Sequence, residues 1–168
     1  MKPRPPKRVP QRPERRKATS PLFWVVLPLL ALALLAQTGR MGDRLQAARM
    51  LWQVEVYSRA AIARGVPRGL IPMNLEVLRR AAVLDATEVG IPIARGTQYL
   101  LLGNGSLAAH AYREALALEP RPEIYLNLGR ALLVAGEPEE ARRQFEMAVR
   151  LDPNLAALVP PELTDVAP

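Results

Sequence analysis

The chain contains no cysteine and only one histidine among its 168 residues. Without cysteine there are no disulfide bonds and no thiolate metal sites. A lone imidazole, that of His110, needs several carboxylates beside it to hold zinc, and no such cluster adjoins it in the sequence. We therefore expect no metal and no cofactor, and we place His110 on the outside of a helix.

Arrangements that carry catalysis are also missing. Ser106 has no histidine at a spacing suited to activating a nucleophile. No phosphate-binding glycine loop is present in the sequence, and the Gly-Asn-Gly segment at 103–105 is typical of a turn between helices. Glu137, Glu139 and Glu140 adjoin a predicted helix N-terminus, where acids favour the helix dipole. We predict that the chain is not an enzyme.

Strand patterns are absent as well, since no alternating β-branched run exceeds a few residues. This favours an all-α fold. Lysine disappears after Lys17, and every later basic residue is arginine. This bias fits a GC-rich genome better than a functional demand, and the composition is typical of a bacterial envelope protein.

The most informative pattern is a segment that occurs twice. Residues 96–120 and 129–153 match at an offset of 33 residues. The matched pairs are Gly96/Gly129, Leu100/Leu133, Gly103/Gly136, Ala108/Ala141, Tyr112/Phe145, Ala115/Ala148, Leu118/Leu151, Glu119/Asp152 and Pro120/Pro153. A period in this range is typical of stacked helical solenoids. Each unit is too small to bury its own apolar face and must pack on a neighbour.

Glycine recurs at two places in each copy. Gly96 and Gly129 fall in the middle of a helix, where glycine costs about 1 kcal/mol relative to alanine, so a close packing contact is expected there. Gly103 and Gly136 fall where the first helix should end, and glycine suits the left-handed residue at that position. We predict Ser106 as the N-cap of the helix that follows.

The pattern resembles the tetratricopeptide repeat (TPR) family over about residues 89–153. The segment 124–153 carries the family signature at Tyr125, Leu128, Gly129, Leu132, Gly136, Ala141, Phe145, Ala148 and Pro153. In the upstream copy Arg95 stands where the family has an apolar residue. The resemblance implies an all-α helical-hairpin solenoid whose first helices form a concave surface for a protein or peptide partner.

A third, weaker copy lies upstream, where Gly69, Arg79 and Leu84 align at an offset of 34. It is either a degenerate repeat or a plain helical hairpin beneath the repeats, and both interpretations predict helix through 43–86. Residues 40–64 are predicted to form a helix with one apolar stripe. That stripe comprises Leu45, Ala48, Leu51, Trp52, Val56 and Ile62. Core packing is the expected role of Trp52.

The amino terminus combines a basic tail with an apolar run. Residues 1–20 hold eight basic residues and one acid, so their net charge of +7 accounts for the net charge of the whole chain. This segment is expected to be disordered. Residues 22–36 carry no charge. With Ser20-Pro21 and Gln37 to Gly39 added, this run is long enough to approach a bilayer core of about 30 Å.

We therefore predict a single uncleaved signal-anchor helix over 21–39 in the inner membrane. The basic flank should stay in the cytoplasm and the rest should face outward. The alternative is a signal peptide cleaved near Ala36, which would release a soluble periplasmic adaptor, although Leu34 is large for a cleavage site. A nucleic-acid-binding tail is a third hypothesis, and the apolar run argues against it.

The predicted organisation has six parts. They are a basic tail (1–20), a transmembrane helix (21–39), a membrane-proximal hairpin (40–88), two repeats (89–121 and 122–153) and a proline-rich tail (154–168). Leu155, Leu158 and Val159 are expected to fold back over the last helix, which otherwise stays open for a partner or for self-association. The predicted function is a membrane-anchored protein-interaction scaffold of the bacterial envelope that also contacts lipid through 21–39.

The resemblance places the binding surface on the first helix of each pair. The candidate partner-binding residues are Ile93, Thr97, Leu100, Leu101, Glu123, Leu126, Asn127, Arg130 and Leu133. Some family members clamp a chaperone's C-terminal carboxylate with paired lysines and asparagines. This chain supplies Asn127 and Arg130 in one helix, Thr97 and Ile93 in the other, and no lysine in either, so the clamp is incomplete and chaperone docking is not expected. The mixed apolar surface suits an amphipathic helix or an extended apolar peptide. The alternative is that several of these residues only pack between repeats.

Overall fold

The computed structural model describes the backbone of residues 21–64 and 69–163, and the side chains of residues 26, 28–59 and 69–163. These residues form six α-helices and two short 3₁₀ helices. The α-helices are α1 (Pro21–Arg64), α2 (Leu70–Leu84), α3 (Gly90–Leu101), α4 (Gly105–Leu118), α5 (Pro122–Ala135) and α6 (Pro138–Leu151). The 3₁₀ helices are Pro153–Leu158 and Pro161–Leu163. The expected disordered tail at 1–20 lies outside the described residues.

The chain divides into two compact units, residues 1–39 and residues 40–168. In the first unit the leucines at positions 29, 30, 32, 34 and 35 are all exposed. Within the described part of the chain, no helix combines the length and the apolar character needed to cross a membrane. The side chains of residues 21–25 and 27 fall outside that part, and the membrane-spanning helix over 21–39 stays a prediction.

The second unit contains the two repeated hairpins, α3–α4 and α5–α6. The turn after each first helix depends on a glycine in the left-handed region, with φ of 74° at Gly103 and 82° at Gly136. This confirms the sequence prediction. The predicted N-cap at Ser106 is wrong, because α4 begins at Gly105, two residues earlier than that cap requires. The Asn104 side chain accepts a hydrogen bond from the Leu107 amide at 3.0 Å and caps the helix instead.

The mid-helix glycines make the close contacts that their recurrence predicts. The ring of Tyr112 lies across Gly96, and a Cβ placed on that glycine would approach Tyr112 Cζ to 2.7 Å. Phe145 lies across Gly129 in the same way, with a corresponding separation of 2.6 Å from Cε1. Both rings are fully buried. Each glycine thus lets an aromatic ring from the second helix seat directly on the backbone of the first.

Gly105 makes a different kind of close contact that the sequence did not indicate. It is the first residue of α4, and it is buried against the last turn of α5. A Cβ there would lie 2.5 Å from the carbonyl oxygen of Ala131 and 2.6 Å from the carbonyl carbon of Val134. Backbone atoms cannot rotate aside as a side chain can, so the approach of the two hairpins depends on glycine at this position.

The upstream hairpin is helical as predicted, although residues 65–68 lie outside the described part. Its core combines α1, α2 and α3 through Ala47, Val54, Ala81, Ile91 and Ala94, together with Leu78. The prediction that Trp52 packs in the core is wrong. Its side chain is 65% exposed, and Leu45 is 71% exposed.

The error lies in the choice of helix face. The buried residues of α1 are small or polar, namely Ala47, Val54 and Ser58, and Met50 and Leu51 are partly buried beside them. Of the predicted stripe, Leu51 is confirmed as packed against the core. Leu45, Ala48, Trp52 and Val56 point to solvent, so hydrophobicity alone selected a face turned away from the buried one. The side chain of Ile62, also assigned to that stripe, lies outside the described residues.

A buried chain of hydrogen bonds joins α1, α2 and α3. Asn74 Nδ2 donates to Gln98 Oε1 at 3.1 Å, and Gln98 Nε2 donates to Ser58 Oγ at 2.9 Å. The Ser58 hydroxyl then donates to the Val54 carbonyl at 2.7 Å. All three polar side chains are buried. Because each has a partner, the upstream hairpin is joined to the first repeat without an unsatisfied polar group among these contacts.

The segment after α6 covers part of that helix. Val159 is buried in the main core, and Leu155 and Leu163 pack against it. The predicted fold-back is confirmed for Leu155 and Val159. It is wrong for Leu158, whose side chain is 51% exposed. The two 3₁₀ helices thus take the place of a full capping helix at this end of the repeats.

Candidate functional site

One face of the second unit is formed by the first helix of each pair, α1, α3 and α5. A cleft of about 190 Å³ lies between α1 and α3. We call this cleft, together with the neighbouring surface of α5, the inner groove. Its lining residues in α1 and α3 are Val54, Glu55, Ser58, Arg59, Ile93, Ala94, Thr97 and Gln98. The groove therefore offers both apolar contacts and exposed hydrogen-bonding groups.

A tyrosine hydroxyl reaches the groove from the second helix of the repeat. Tyr112 Oη lies 3.2 Å from Thr97 Oγ1, which in turn donates to the Ile93 carbonyl at 3.1 Å. Because the single threonine proton is engaged there, the tyrosine hydroxyl is the donor between the two. Burial raises the pKa of Tyr112, while the hydrogen bond with Thr97 and the nearby charge of Arg130 act in the opposite direction. The phenol thus remains a neutral donor.

Arg130 supplies positive charge on the α5 side of the groove. Its Nη1 donates to Asn127 Oδ1 at 3.3 Å, and its Nη2 lies 3.5 Å from the Leu158 carbonyl. Among the described carboxylates, none forms an ion pair with it. The guanidinium has five N–H donors, and these two long contacts leave most of them available.

The α1 side of the groove carries both signs of charge. Arg59 and Glu55 lie one helical turn apart and form an ion pair at 3.6 Å, with side chains 82% and 44% exposed. An exposed pair of this kind contributes little to stability, about 0.3–0.5 kcal/mol. Its position suits contact with a polar partner better than a structural role.

The structure separates the predicted groove residues into three groups. Ile93, Leu100 and Leu133 are partly buried and pack against the main core, so each belongs both to the groove wall and to the interior. Thr97, Leu101, Asn127 and Arg130 are partly buried outside that core, and Glu123 is exposed. Leu126 is only 4% exposed and lies in the core. We therefore omit Leu126 from the inner groove.

Three polar groups near the groove, those of Ser58, Gln98 and Tyr112, were not predicted from the sequence. Tyr112 was assigned to the apolar interface, and its ring does lie there. Only its hydroxyl extends across Gly96 to Thr97. Ser58 and Gln98 gave no periodic signal because each is a polar residue on a buried helix face. The residue type alone predicts solvent exposure for them.

His110 lies on the exposed surface of α4, as expected. Its Nδ1 is 2.9 Å from Glu114 Oε1, and Arg95 pairs with the same carboxylate. Within the described residues, no group of three or more potential ligands is arranged to hold a metal ion. This surface therefore offers a cluster of ion pairs among Arg95, His110 and Glu114.

Comparison with known proteins supports the repeat assignment. Residues 93–156 match the family model described as tetratricopeptide repeat. A thermophilic TPR protein of Thermus thermophilus has a similar structure, with a TM-score of 0.58, 27% identity and coverage of 82% of this chain and 75% of that one. The first TPR of Spaghetti (RPAP3), bound to an HSP90 peptide, gives 0.58, 20% identity and coverage of 71% and 86%.

A third similar structure is SycD, a type III secretion translocator chaperone of Yersinia enterocolitica. The TM-score is 0.55 at 18% identity, with coverage of 67% of this chain and 83% of that chain. At this level of identity, the likeness to SycD and to RPAP3 concerns the fold alone. Neither the matched family nor these structures indicates an enzymatic family.

Proposed function

We propose, from the premise that residues 93–156 are built as tetratricopeptide repeats, that this chain is a non-catalytic scaffold that binds a protein partner. The observation that carries the proposal is the position of Arg130. It lies on the inner face, close enough for its charge to act on Tyr112, and without an ion-pair partner among the described carboxylates. A partly buried cation with unused donors is a place for a partner's carboxylate.

The chemistry of the inner groove defines the partner. Ile93, Leu100 and Leu133 provide apolar contacts along the wall, and Arg130 provides charge at the α5 end. We propose that the groove binds a peptide segment with apolar side chains and at least one acidic residue or a C-terminal carboxylate. The RPAP3 domain was solved with the peptide SRMEEVD, which has two acidic residues before its final aspartate. This supports an acidic peptide as the class of ligand.

The groove is tested by reversing the charge of Arg130. Arg130→Glu should weaken partner binding by about tenfold or more, because a charge-assisted hydrogen bond is worth about 1.5–3 kcal/mol. Partners recovered from a detergent extract are identified by mass spectrometry, and the affinity of one purified partner is then measured by calorimetry. The melting temperature is recorded for each variant.

The matched control is Arg143→Glu on α6, which changes the same charge at an exposed site outside the groove. Partner binding should be unchanged in that variant. If Arg143→Glu weakens binding as much as Arg130→Glu, the effect comes from overall charge and the groove proposal is wrong. Unaltered binding by Arg130→Glu leads to the same conclusion.

We also propose a location in the bacterial inner membrane, with residues 21–39 as the anchor and the repeats outside the cytoplasm. The uncharged run at 22–36 and the eight basic residues of 1–20 support this orientation. The exposed leucines between positions 29 and 35 are consistent with lipid contact. A cleaved soluble adaptor is the alternative.

Alkaline extraction of membranes distinguishes these two locations. The intact chain should remain in the pellet at high pH together with an integral membrane marker, and mass spectrometry should recover the uncleaved N-terminal segment. A peripheral membrane protein serves as the control that washes off. Recovery of a soluble chain beginning near Gln37 would replace the anchor with the cleaved adaptor.

A further inference from the structure

The outer face of α1 carries an apolar stripe that is exposed in the described part of the protein. Met41 is 74% exposed, Leu45 71% and Trp52 65%, and Ala48 between them is also exposed. We call these four residues the outer seam. The buried residues of α1, Ala47, Val54 and Ser58, lie on the opposite side of the helix. The outer seam is thus a second apolar face of α1, whose first face is packed against α2 and α3.

The spacing of the outer seam is that of a coiled coil. Its members are separated by four, three and four residues, so that Met41 and Ala48 occupy d positions and Leu45 and Trp52 occupy a positions. The next two positions in this register are Glu55 and Arg59, which pair with each other. These charged residues end the apolar repeat, so the outer seam covers about two heptads of α1.

From this geometry we propose that the outer seam is a dimer interface, in which α1 of one chain pairs in parallel with α1 of a second copy. The choice of a second copy depends on charge. Arg44 and Arg49 are five residues apart and therefore about 140° apart around the helix, one on each side of the outer seam. They occupy the g and e positions, which face each other between the chains of a parallel pair.

The two sides of the outer seam carry opposite net charge. On the Arg44 side, a hollow of about 560 Å³ is lined by Asp85 and Glu88 as well as by Arg44, which gives a net negative surface. Arg44 lies 3.6 Å from Asp85 and is already paired. On the other side, a hollow of about 410 Å³ is lined by Arg49, Gln53, Val56 and Tyr57 beside Trp52, with no acid in its lining.

A parallel two-fold pair brings these unlike sides together twice. Arg49 of one copy faces Arg44, Asp85 and Glu88 of its partner, and the reverse contact follows from symmetry. Because Arg44 is already paired with Asp85, Glu88 supplies the attraction for Arg49. An antiparallel pair instead places each side against its own copy, so that Asp85 and Glu88 face the same two acids. Charge complementarity therefore favours the parallel arrangement. The small side chain of Ala48 allows the two helices to approach closely at the centre of the seam.

Cysteine cross-linking tests the interface directly, because the natural chain contains no cysteine. In the full chain in mild detergent, Ala48→Cys should form a disulfide-linked dimer under gentle oxidation, since the d positions of a parallel pair face each other. The matched control is Gln53→Cys, which is exposed and lies on the flank of the stripe. It should remain monomeric on a non-reducing gel.

Light scattering provides the second measurement. The full chain should be a dimer in which Trp52, exposed in a single chain, is buried between the two copies. Trp52→Glu should weaken dimerisation by about tenfold or more, because a buried aromatic residue is a typical interface hot spot. The control is Val83→Glu, which places the same charge at an equally exposed apolar site on α2. At a protein concentration low enough for the parent chain to be monomeric, both variants should keep its unfolding temperature.

The proposal is overturned by a monomeric parent chain, by equal cross-linking of the two cysteine variants, or by a dimer that persists in Trp52→Glu. None of these variants alters Arg130 or the inner groove. The outcome is therefore independent of whether the proposed partner binding is correct.

Discussion

Gly105→Ala is expected to lower the free energy of unfolding by about 3 kcal/mol, because overpacking against a rigid neighbour costs about 1–3 kcal/mol or more. The added methyl group would lie within 2.6 Å of the backbone at Ala131 and Val134. These atoms belong to a hydrogen-bonded helix, so α4 and α5 must move apart to admit it. Chemical denaturation followed by circular dichroism measures the change.

A second glycine to alanine substitution provides the control for that experiment. Gly42 lies within α1, and nothing lies within 4 Å of a Cβ placed on it. Gly42→Ala should therefore raise the free energy of unfolding by up to about 1 kcal/mol through helix propensity. If both substitutions have the same effect, the close approach of α4 to α5 is not the reason for glycine at position 105.

Phe145→Ala should be the most destabilising single change in the repeats, with a loss of about 3–5 kcal/mol. The ring is only 1% exposed and fills the space above Gly129. Leu151→Ala in the same helix is the control. Because that side chain is 52% exposed, its removal should have a much smaller effect. Thermal melting of the three proteins measures the difference.

The contact between Phe145 and Gly129 also predicts a coupling. Gly129→Ala should destabilise the natural chain, because the ring has no room to accept a methyl group. In a Phe145→Leu background, the same glycine substitution should lose most of its effect, since the smaller side chain leaves space. Additive free energies in this double-mutant cycle would show that the two positions do not interact.

The two hairpins could be predicted because their sequences repeat. A packing contact that both hairpins share requires the same residue type at equivalent positions, 33 residues apart. Gly96 and Gly129 illustrate this well. Their position in mid-helix is unfavourable by propensity, and the aromatic rings of the next helix explain it. The left-handed turns at Gly103 and Gly136 followed from the same logic. Gly105 has no equivalent glycine 33 residues later, where Pro138 stands, so the repeat did not predict its contact with α5.

The face of α1 was not predictable for a different reason. Hydrophobic periodicity identifies the most apolar stripe, and in α1 that stripe is exposed while Ala47 and Ser58 are buried. A rule that assigns the most apolar side of a helix to the core therefore chose the wrong side of α1. The groove was only partly predictable as well. Family resemblance indicated Thr97 and Arg130, but the hydroxyl of Tyr112 enters from another helix, and sequence spacing does not show such a contact.

The hydrogen-bonded chain from Asn74 through Gln98 to Ser58 has a mechanical consequence. Sliding α1 along α3 by a single residue is a displacement of about 1.5 Å, which is enough to separate these donors from their acceptors. Apolar contacts tolerate small slippage, but directional polar contacts do not. A force that pulls on α1 from residue 40 onward should therefore displace α3 together with α1, because the hydrogen bond that Gln98 donates to Ser58 resists sliding.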